Sequence, residues 1–390
     1  MLSKPRAASR LAQIEPFQVM RILEAAKTLE AQGRDVIHLE VGEPDFPTPP
    51  TIVQAGIEAM TAGHTFYTPA TGLPALRDAI ARFHEERFGV QIDPRRIIVT
   101  PGASGALQLI LALLVGRDDE VLLADPGYPC NRHLISLFEG RPVTIPVGAD
   151  TRFQLNAGHV AQHACARSVA ALVASPANPT GTVLEPAEIA ALAQACRERG
   201  MALIVDEIYQ GLVYDRPHET ALSVVDDAFV VNSFSKFFQM TGWRLGWLIA
   251  PEWAVPDLEK LAQNLFLAPP TIAQHAALAA FSDKTLALLD NRRLELDNRR
   301  RHLYRLISDM GLTVPCIPQG AFYLWVDFSR FTDNAEAFAQ RLLHTEGVAI
   351  TPGSDFGGNP AFVRLAYTQS VQRLEAACER LGRSFRGSCT

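Results

Sequence analysis

Cysteine pairs, long apolar runs and an excess of either charge are all missing from this sequence. Its six cysteines, Cys130, Cys165, Cys196, Cys316, Cys378 and Cys389, include no C-x-x-C pair, and none stands at zinc-finger spacing from a histidine. That excludes a disulfide framework and a zinc finger, and it predicts free thiols in a reducing, cytoplasmic compartment with no metal site. The longest uncharged run, Ile97 to Gly116, is interrupted by Pro101, Gly102 and Gly105. It reads as strand, turn and helix, not as a membrane span. The opening stretch MLSKPRAASRLAQIEP has basic residues but no apolar h-region, so no secretory signal is expected. Lysine and arginine number 36 against 42 acidic residues, a net charge of −6. No basic run is long enough for a nucleic-acid face, and the locally basic stretch Arg292 to Arg305 reads as the solvated side of a long helix. There is no internal repeat, no low-complexity tract, and neither G-x-x-x-x-G-K-[ST] nor G-x-G-x-x-G.

What is present is a chain of 390 residues, 48% apolar, long enough for two domains. Seven apolar runs of strand length recur at 96–100, 120–124, 142–146, 169–175, 202–206, 228–233 and 247–250. Several are continuous, as in strands buried on both faces. Helical periodicity fills 105–116, 131–140 and 185–200, the last with Pro186 near its start and Gly200 just past its end. This alternation predicts an α/β fold with a mostly parallel sheet covered by helices. Helix is scarcer over 202–250, so one connection there should differ. From about residue 280 the pattern changes to a long helix (285–311), a strand (321–328), a helix (334–347), two short strands and a final helix from Val371, which is a smaller α+β unit. An early helix over 16–32 and the segment 36–46 should pack with that unit.

Ligands of open α/β sheets sit beyond the carboxyl ends of the strands, so the residues after each strand matter most. PGASGAL opens a helix with small residues, which suits an anion. DPGYP places Tyr128 at a strand end, PANPTGT places Asn178 in a turn, and Asp206 ends an apolar strand three residues before Tyr209. SFSKFFQMTGWRLGW then sets Lys236 among Phe234, Phe237, Phe238 and Trp243, followed by Arg244. A lysine in so apolar a setting suits an amine whose pKa must fall to form a Schiff base. Together these supply an anion cradle, an aromatic plate, a buried carboxylate and a masked amine on one rim. A flat, phosphorylated, cationic aromatic aldehyde needs that set.

With these residues in place the sequence resembles the class I/II aminotransferases, fold-type I enzymes of pyridoxal 5'-phosphate. The resemblance runs over nearly the whole chain, through VGEPDFPTP (41–49), YTPATGLPALR (67–77), DPGYP, NPTG, DEIY, SFSKFFQMTGWRLGW, PQGAFYLW (318–325) and FVRLAY (362–367). It implies an aspartate-aminotransferase-like fold: a large cofactor-binding domain (49–283) with a mostly parallel seven-stranded sheet, a small domain (284–390), and an N-terminal segment (1–48) packed on the latter. Lys236 would then be the Schiff-base lysine, shuttling a proton between the substrate α carbon and the cofactor. Asp206 would pair with the ring nitrogen, Tyr209 and Asn178 with the ring oxygen, and Tyr128 would stack on the ring. Ala103, Ser104, Ser233, Ser235 and Arg244 would hold the phosphate. Tyr67 would reach the cofactor of the other subunit in a homodimer. Arg364, with Gly42 and Asn178, would bind the substrate α-carboxylate. The implied reaction is ping-pong transfer of an amino group from an amino acid to a 2-oxo acid, 2-oxoglutarate by default, with no nucleic acid or membrane involved. The chain departs from the pattern at Leu267-Ala268, where many relatives carry Thr-Ser, and spacing assigns no arginine to a second substrate carboxylate.

Two other readings use the same residues. A carbon–sulfur β-lyase would keep the whole cofactor site, but Thr182 after NPTG favours transamination. A catalytically silent sensor or interaction protein would not need Lys236, Asp206, Arg244 and Arg364 together. VGEPDF also begins too early to leave room for a DNA-binding domain before it.

Overall fold

A computed structural model describes residues 6–386. After a short strand β1 (Ile37–His38) come β2 (Ile97–Thr100), β3 (Glu120–Asp125), β4 (Arg141–Pro146), β5 (Ser168–Ala174), β6 (Ala202–Asp206), β7 (Phe229–Ser233) and β8 (Gly246–Ile249). These last seven form one sheet in the order β2-β8-β7-β6-β5-β3-β4. The pairs from β4 through β7 are parallel, while β8 runs antiparallel to both β7 and β2. This is the connection that differs over 202–250. Its consequence is local: an antiparallel β8 starts at the rim where its neighbours end, which delivers Arg244 to the same edge as Asp206 and Ser233.

The alternation of each strand divides the core in two. Ile97 and Val99, Ala171 and Val173, and Leu203 and Val205 belong to one buried cluster. Ile98, Ala170 and Leu172, and Ile204 belong to another, beneath helix Gly102–Leu114. Both faces are therefore dry, as period-2 side chains on a doubly covered sheet require.

The C-terminal region begins with helix Asp283–Asp309 and holds β9 (Tyr323–Asp327), β10 (Val348–Ala349), β11 (Thr351–Pro352) and β12 (Phe362–Ala366). Strands β11, β12 and β9 make an antiparallel sheet, and β10 pairs with β1 in parallel. Arg373 and Arg380 of helix Val371–Arg386 both bind the Asp35 carboxylate. Residues 35–38 are thus held by the C-terminal elements.

One expectation about the long helix is corrected. Arg299 and Arg300 do not face solvent: they are 5% and 3% exposed. Arg299 binds Asp45 at 2.8 Å, and Arg300 binds Asp297 at 2.6 Å and also Asp215. A guanidinium can be buried where carboxylates and carbonyls saturate it, and the other elements that supply those carboxylates cannot be read from helix periodicity. Cys130, Cys165, Cys196, Cys316 and Cys378 are free thiols; Cys389 lies outside the described residues. Among the described residues no helix is long and apolar enough to cross a membrane.

Candidate active site

A cavity of about 420 Å³ opens at the carboxyl rim of the large sheet. Every residue given a cofactor or substrate role from the sequence lines it except Tyr67. The small sheet contributes Tyr323 and Arg364, and the start of helix Gln18–Ala31 contributes Val19 and Met20, with Phe17 just before it.

One end of the cavity is a set of donors without an acid. Helix Gly102–Leu114 starts there with no side-chain cap, so its first N–H groups are free. The Ser233 and Ser235 hydroxyls are 3.0 Å apart beside it. Among the described residues Arg244 bonds only a neutral acceptor there, the Thr241 carbonyl at 3.0 Å. Two glycines make the convergence possible. Gly102 has φ +73°, and a Cβ on it would lie 2.6 Å from Arg244 Nη2. A Cβ on Gly246 would lie 2.9 Å from the Ala103 nitrogen.

At the centre, Lys236 Nζ donates to the Gly42 carbonyl at 2.5 Å and lies 5.8 Å from the Tyr209 ring centre. Burial pushes its pKa down to about 8; the Glu43 carboxylate opposes that shift, and Arg364 and Arg244 add to it. Asp206 is 6% exposed. Burial pushes its carboxyl up to about 6, against a hydrogen bond from the Ile208 N–H and the charge of Lys236. Tyr128 stands edge-on to Phe17 at 6.0 Å. Desolvation holds its phenol far above the usual range.

At the other end, Arg364 is 1% exposed. Its partners are all neutral: Asn178 Oδ1 at 3.0 Å, the Glu40 carbonyl, and Thr351 Oγ1 at 3.4 Å. Its Nε–H has no acceptor among the described residues. The guanidinium lies 4.3 Å over the Tyr323 ring and 4.8 Å from that of Phe356. Tyr323 was not singled out from the sequence, although it lies in PQGAFYLW. Its hydroxyl is 2.8 Å from that of Tyr209, and a Cβ on Gly42 would come within 2.4 Å of it. Arg364 and Tyr323 meet because β12 and β9 pair Arg364 with Trp325 and Ala366 with Tyr323, which makes them diagonal neighbours on one face. Glu43, the acidic residue of VGEPDF, also lines the cavity and was not anticipated.

Tyr67 is 82% exposed and stands apart from this cavity. Phe66 and Leu267 near it are 82% and 60% exposed, and Thr271 Oγ1 donates to the Phe66 carbonyl at 2.8 Å. Val53, Ile57 and Met60, at helical spacing on Pro50–Thr61, are exposed as well.

Comparison with known proteins decides the family. The family model described as "Aminotransferase class I and II" matches residues 34–381. A valine–pyruvate aminotransferase of Mycobacterium tuberculosis is 38% identical over 386 residues, 95% of this chain and 96% of that protein. The crystal structure of an aminotransferase from the same organism superposes with a TM-score of 0.94 at 37% identity, over 98% of this chain and 100% of that one. Aspartate aminotransferase from Thermus thermophilus, solved with maleate, gives 0.92 at 32% identity, over 97% and 100%. The chain belongs to the class I and II aminotransferases. Enzymes of this family depend on pyridoxal phosphate, and the cavity of this aminotransferase fits that cofactor. The acid-free cluster of donors suits a phosphate. Asp206, which accepts one backbone N–H and is raised by burial, suits a protonated ring nitrogen. The depressed lysine suits a carbonyl carbon.

Proposed function

We propose that this aminotransferase moves an amino group from an L-amino acid to a 2-oxo acid by a ping-pong cycle, with the residues of this cavity in the following roles. Ser104, Ser233, Ser235, Arg244 and the Ala103 backbone bind the phosphate. Asp206 keeps the ring nitrogen protonated, Tyr209 and the Asn178 amide hold the ring oxygen, and Tyr128 covers the ring face. Bound pyridoxal phosphate supplies an electron sink for the pair left on the α carbon. Arg364 clamps the α-carboxylate, and Gly42 and Asn178 orient it. Lys236 Nζ, freed from the Gly42 carbonyl, takes the proton from the α carbon; a pKa near 8 leaves an appreciable neutral fraction at neutral pH.

Arg364 carries this reading. A buried guanidinium with only neutral partners and an orphaned N–H calls for an anion, and it faces the same cavity as the masked amine. The exposed apolar surface around Tyr67 supports a homodimer in which Tyr67 reaches the partner's cofactor. The pairing of β1 with β10 supports closure of residues 1–48 and 284–390 over 49–283. The free thiols support a cytoplasmic location. The carbon–sulfur lyase alternative is not favoured, since the relatives are named aminotransferases.

The test is a single turnover of cofactor-loaded enzyme with a donor amino acid and no acceptor. One equivalent of oxo acid per site, with bleaching of the visible band and no ammonia, is the expected result. Continuous release of pyruvate and ammonia from a cysteine conjugate would mean a lyase. For the acceptor, 2-oxoglutarate and pyruvate are the pair to compare, and the valine–pyruvate relative makes pyruvate a serious competitor.

A further inference from the structure

Tyr323 lines the cavity and has no part in the reading above. Its hydroxyl is 2.8 Å from that of Tyr209, and both side chains are buried. Among the described residues neither hydroxyl has another hydrogen-bond partner. Two hydroxyls carry two protons and use only one between them. The second proton has no protein acceptor, and a buried donor without an acceptor is costly. Other buried phenols end differently: Tyr214 and Tyr367 both donate to the Ala321 carbonyl, at 2.6 and 3.2 Å. The pair in the cavity is an open chain of donors that a ligand completes.

Three features set its direction. Tyr323 is fixed in place: the Arg364 guanidinium lies 4.3 Å over its ring, and the rings of Phe322 and Tyr209 stand edge-on to it at 4.7 and 5.7 Å. Its hydroxyl is also packed against Gly42, where a Cβ would come within 2.4 Å; glycine at this position leaves the hydroxyl beside Tyr209. Tyr323 is, finally, the stronger acid of the two. Burial raises both phenols, but Arg364 and the bond to Tyr209 oppose the rise at Tyr323, whereas the neighbouring Tyr323 adds to it at Tyr209. The stronger acid of a hydroxyl pair is its better donor. Lys236, 5.8 Å from the Tyr209 ring centre, shares the cavity with Asp206, Arg244 and Glu43, but none of these bonds either hydroxyl.

We propose that Tyr323 is the positioning residue of the Tyr209 phenol: its hydroxyl donates to the Tyr209 oxygen and so turns the Tyr209 proton into the cavity, onto the ring oxygen of the cofactor. Each bond of such a chain polarises the next. The inference rests on the ring-oxygen role given to Tyr209 above. A donor on that oxygen stabilises its negative charge. The proton shared between the oxygen and the Lys236 nitrogen then leaves at lower pH, and the visible band of the loaded enzyme titrates lower.

The readout is the pH midpoint of that band, with urea denaturation of the cofactor-free protein as the check on folding. Tyr323→Phe removes one hydroxyl and keeps the ring under Arg364. It should raise the midpoint by about 0.3–1 pH unit. Tyr209→Phe should raise it by at least about one unit. In that background Tyr323→Phe should add less than about 0.3 unit, since the chain is already cut. Tyr323→3-fluorotyrosine keeps the hydroxyl, donates more strongly and should lower the midpoint, a sign that packing damage would not produce. It also serves if the phenylalanine variant does not fold. A midpoint unmoved by Tyr323→Phe, an equal shift with and without the Tyr209 hydroxyl, or a rise with fluorotyrosine would overturn the inference while the role of Tyr209 stands. A midpoint unmoved by Tyr209→Phe would remove the ring-oxygen role, and this inference with it.

Discussion

Replacing Arg364 by methionine should separate stability from function. Arg364 is 1% exposed, its Nε–H lacks an acceptor, and its other partners are neutral. Removing an unsatisfied buried donor relieves roughly 1–3 kcal/mol, and removing an unpaired buried charge adds to that. Against this stand the contacts with Tyr323 and Phe356, worth about 0.5–2 kcal/mol each, and the donor lost by Asn178 Oδ1, about 1 kcal/mol. The Glu40 carbonyl keeps its bond from Thr351 Oγ1 at 3.0 Å. Methionine retains much of the volume and packs on the same rings. These terms nearly cancel, so the cofactor-free protein should stay within about 2 kcal/mol of the parent in stability. Loss of a buried clamp on the α-carboxylate should meanwhile lower kcat/KM by about 3–5 kcal/mol, roughly 10²- to 10⁴-fold. Urea denaturation of the cofactor-free proteins at pH 7.5 and steady-state kinetics of the loaded ones measure the two quantities. A variant destabilised by more than about 2 kcal/mol would make Arg364 a structural residue. Unchanged kcat/KM would refute the clamp.

Three further outcomes follow from the same physics. Asp206 has a folded pKa raised from 3.8 to about 6, so its ionisation removes stability as pH rises from about 4 past 6. Asp206→Asn should therefore stabilise the cofactor-free protein at pH 7–8 by up to about 3 kcal/mol, leave it unchanged near pH 3.5, and weaken retention of the cofactor; equal stability at pH 8 would contradict this. Gly42→Ala places a Cβ 2.4 Å from the Tyr323 hydroxyl, which must move away from Tyr209, and kcat should fall by at least about tenfold; a crystal structure with the 2.8 Å contact intact would count against it. His38 is raised to about 9, first by its hydrogen bond to the buried Glu40, with burial opposing and Glu30 assisting. Its contribution is full below about pH 6.5 and is lost as pH climbs through 9, so His38→Gln should flatten the decline of the denaturation midpoint over that range. Parallel curves for parent and variant would exclude the coupling.

Much of the site was legible because each candidate follows a strand, and in a parallel sheet all such positions share one rim. Asp206, Ser233 and Ala103 needed only strand boundaries. Arg244 needed β8 to be antiparallel, which the scarcity of helix over 202–250 hinted at. Tyr323 and Glu43 were harder. Tyr323 matters only through a diagonal contact across β9 and β12, and Glu43 only because a loop folds over Lys236. Neither relation leaves a periodic trace. The buried Arg299 and Arg300 were misread for a similar reason, since their partners Asp45 and Asp215 belong to other parts of the chain.

Local order alone determined which segments become strands and helices, because burial on both faces writes continuous apolar runs and turns must carry glycine and proline. The order of motifs determined the family. Tertiary structure alone decided which charges stay without a counter-ion. Whether Arg364 is neutralised, or Glu43 faces a cation, depends on distances between residues hundreds of positions apart. Those distances are set by how β12, the 41–43 loop and the rim of the large sheet come together.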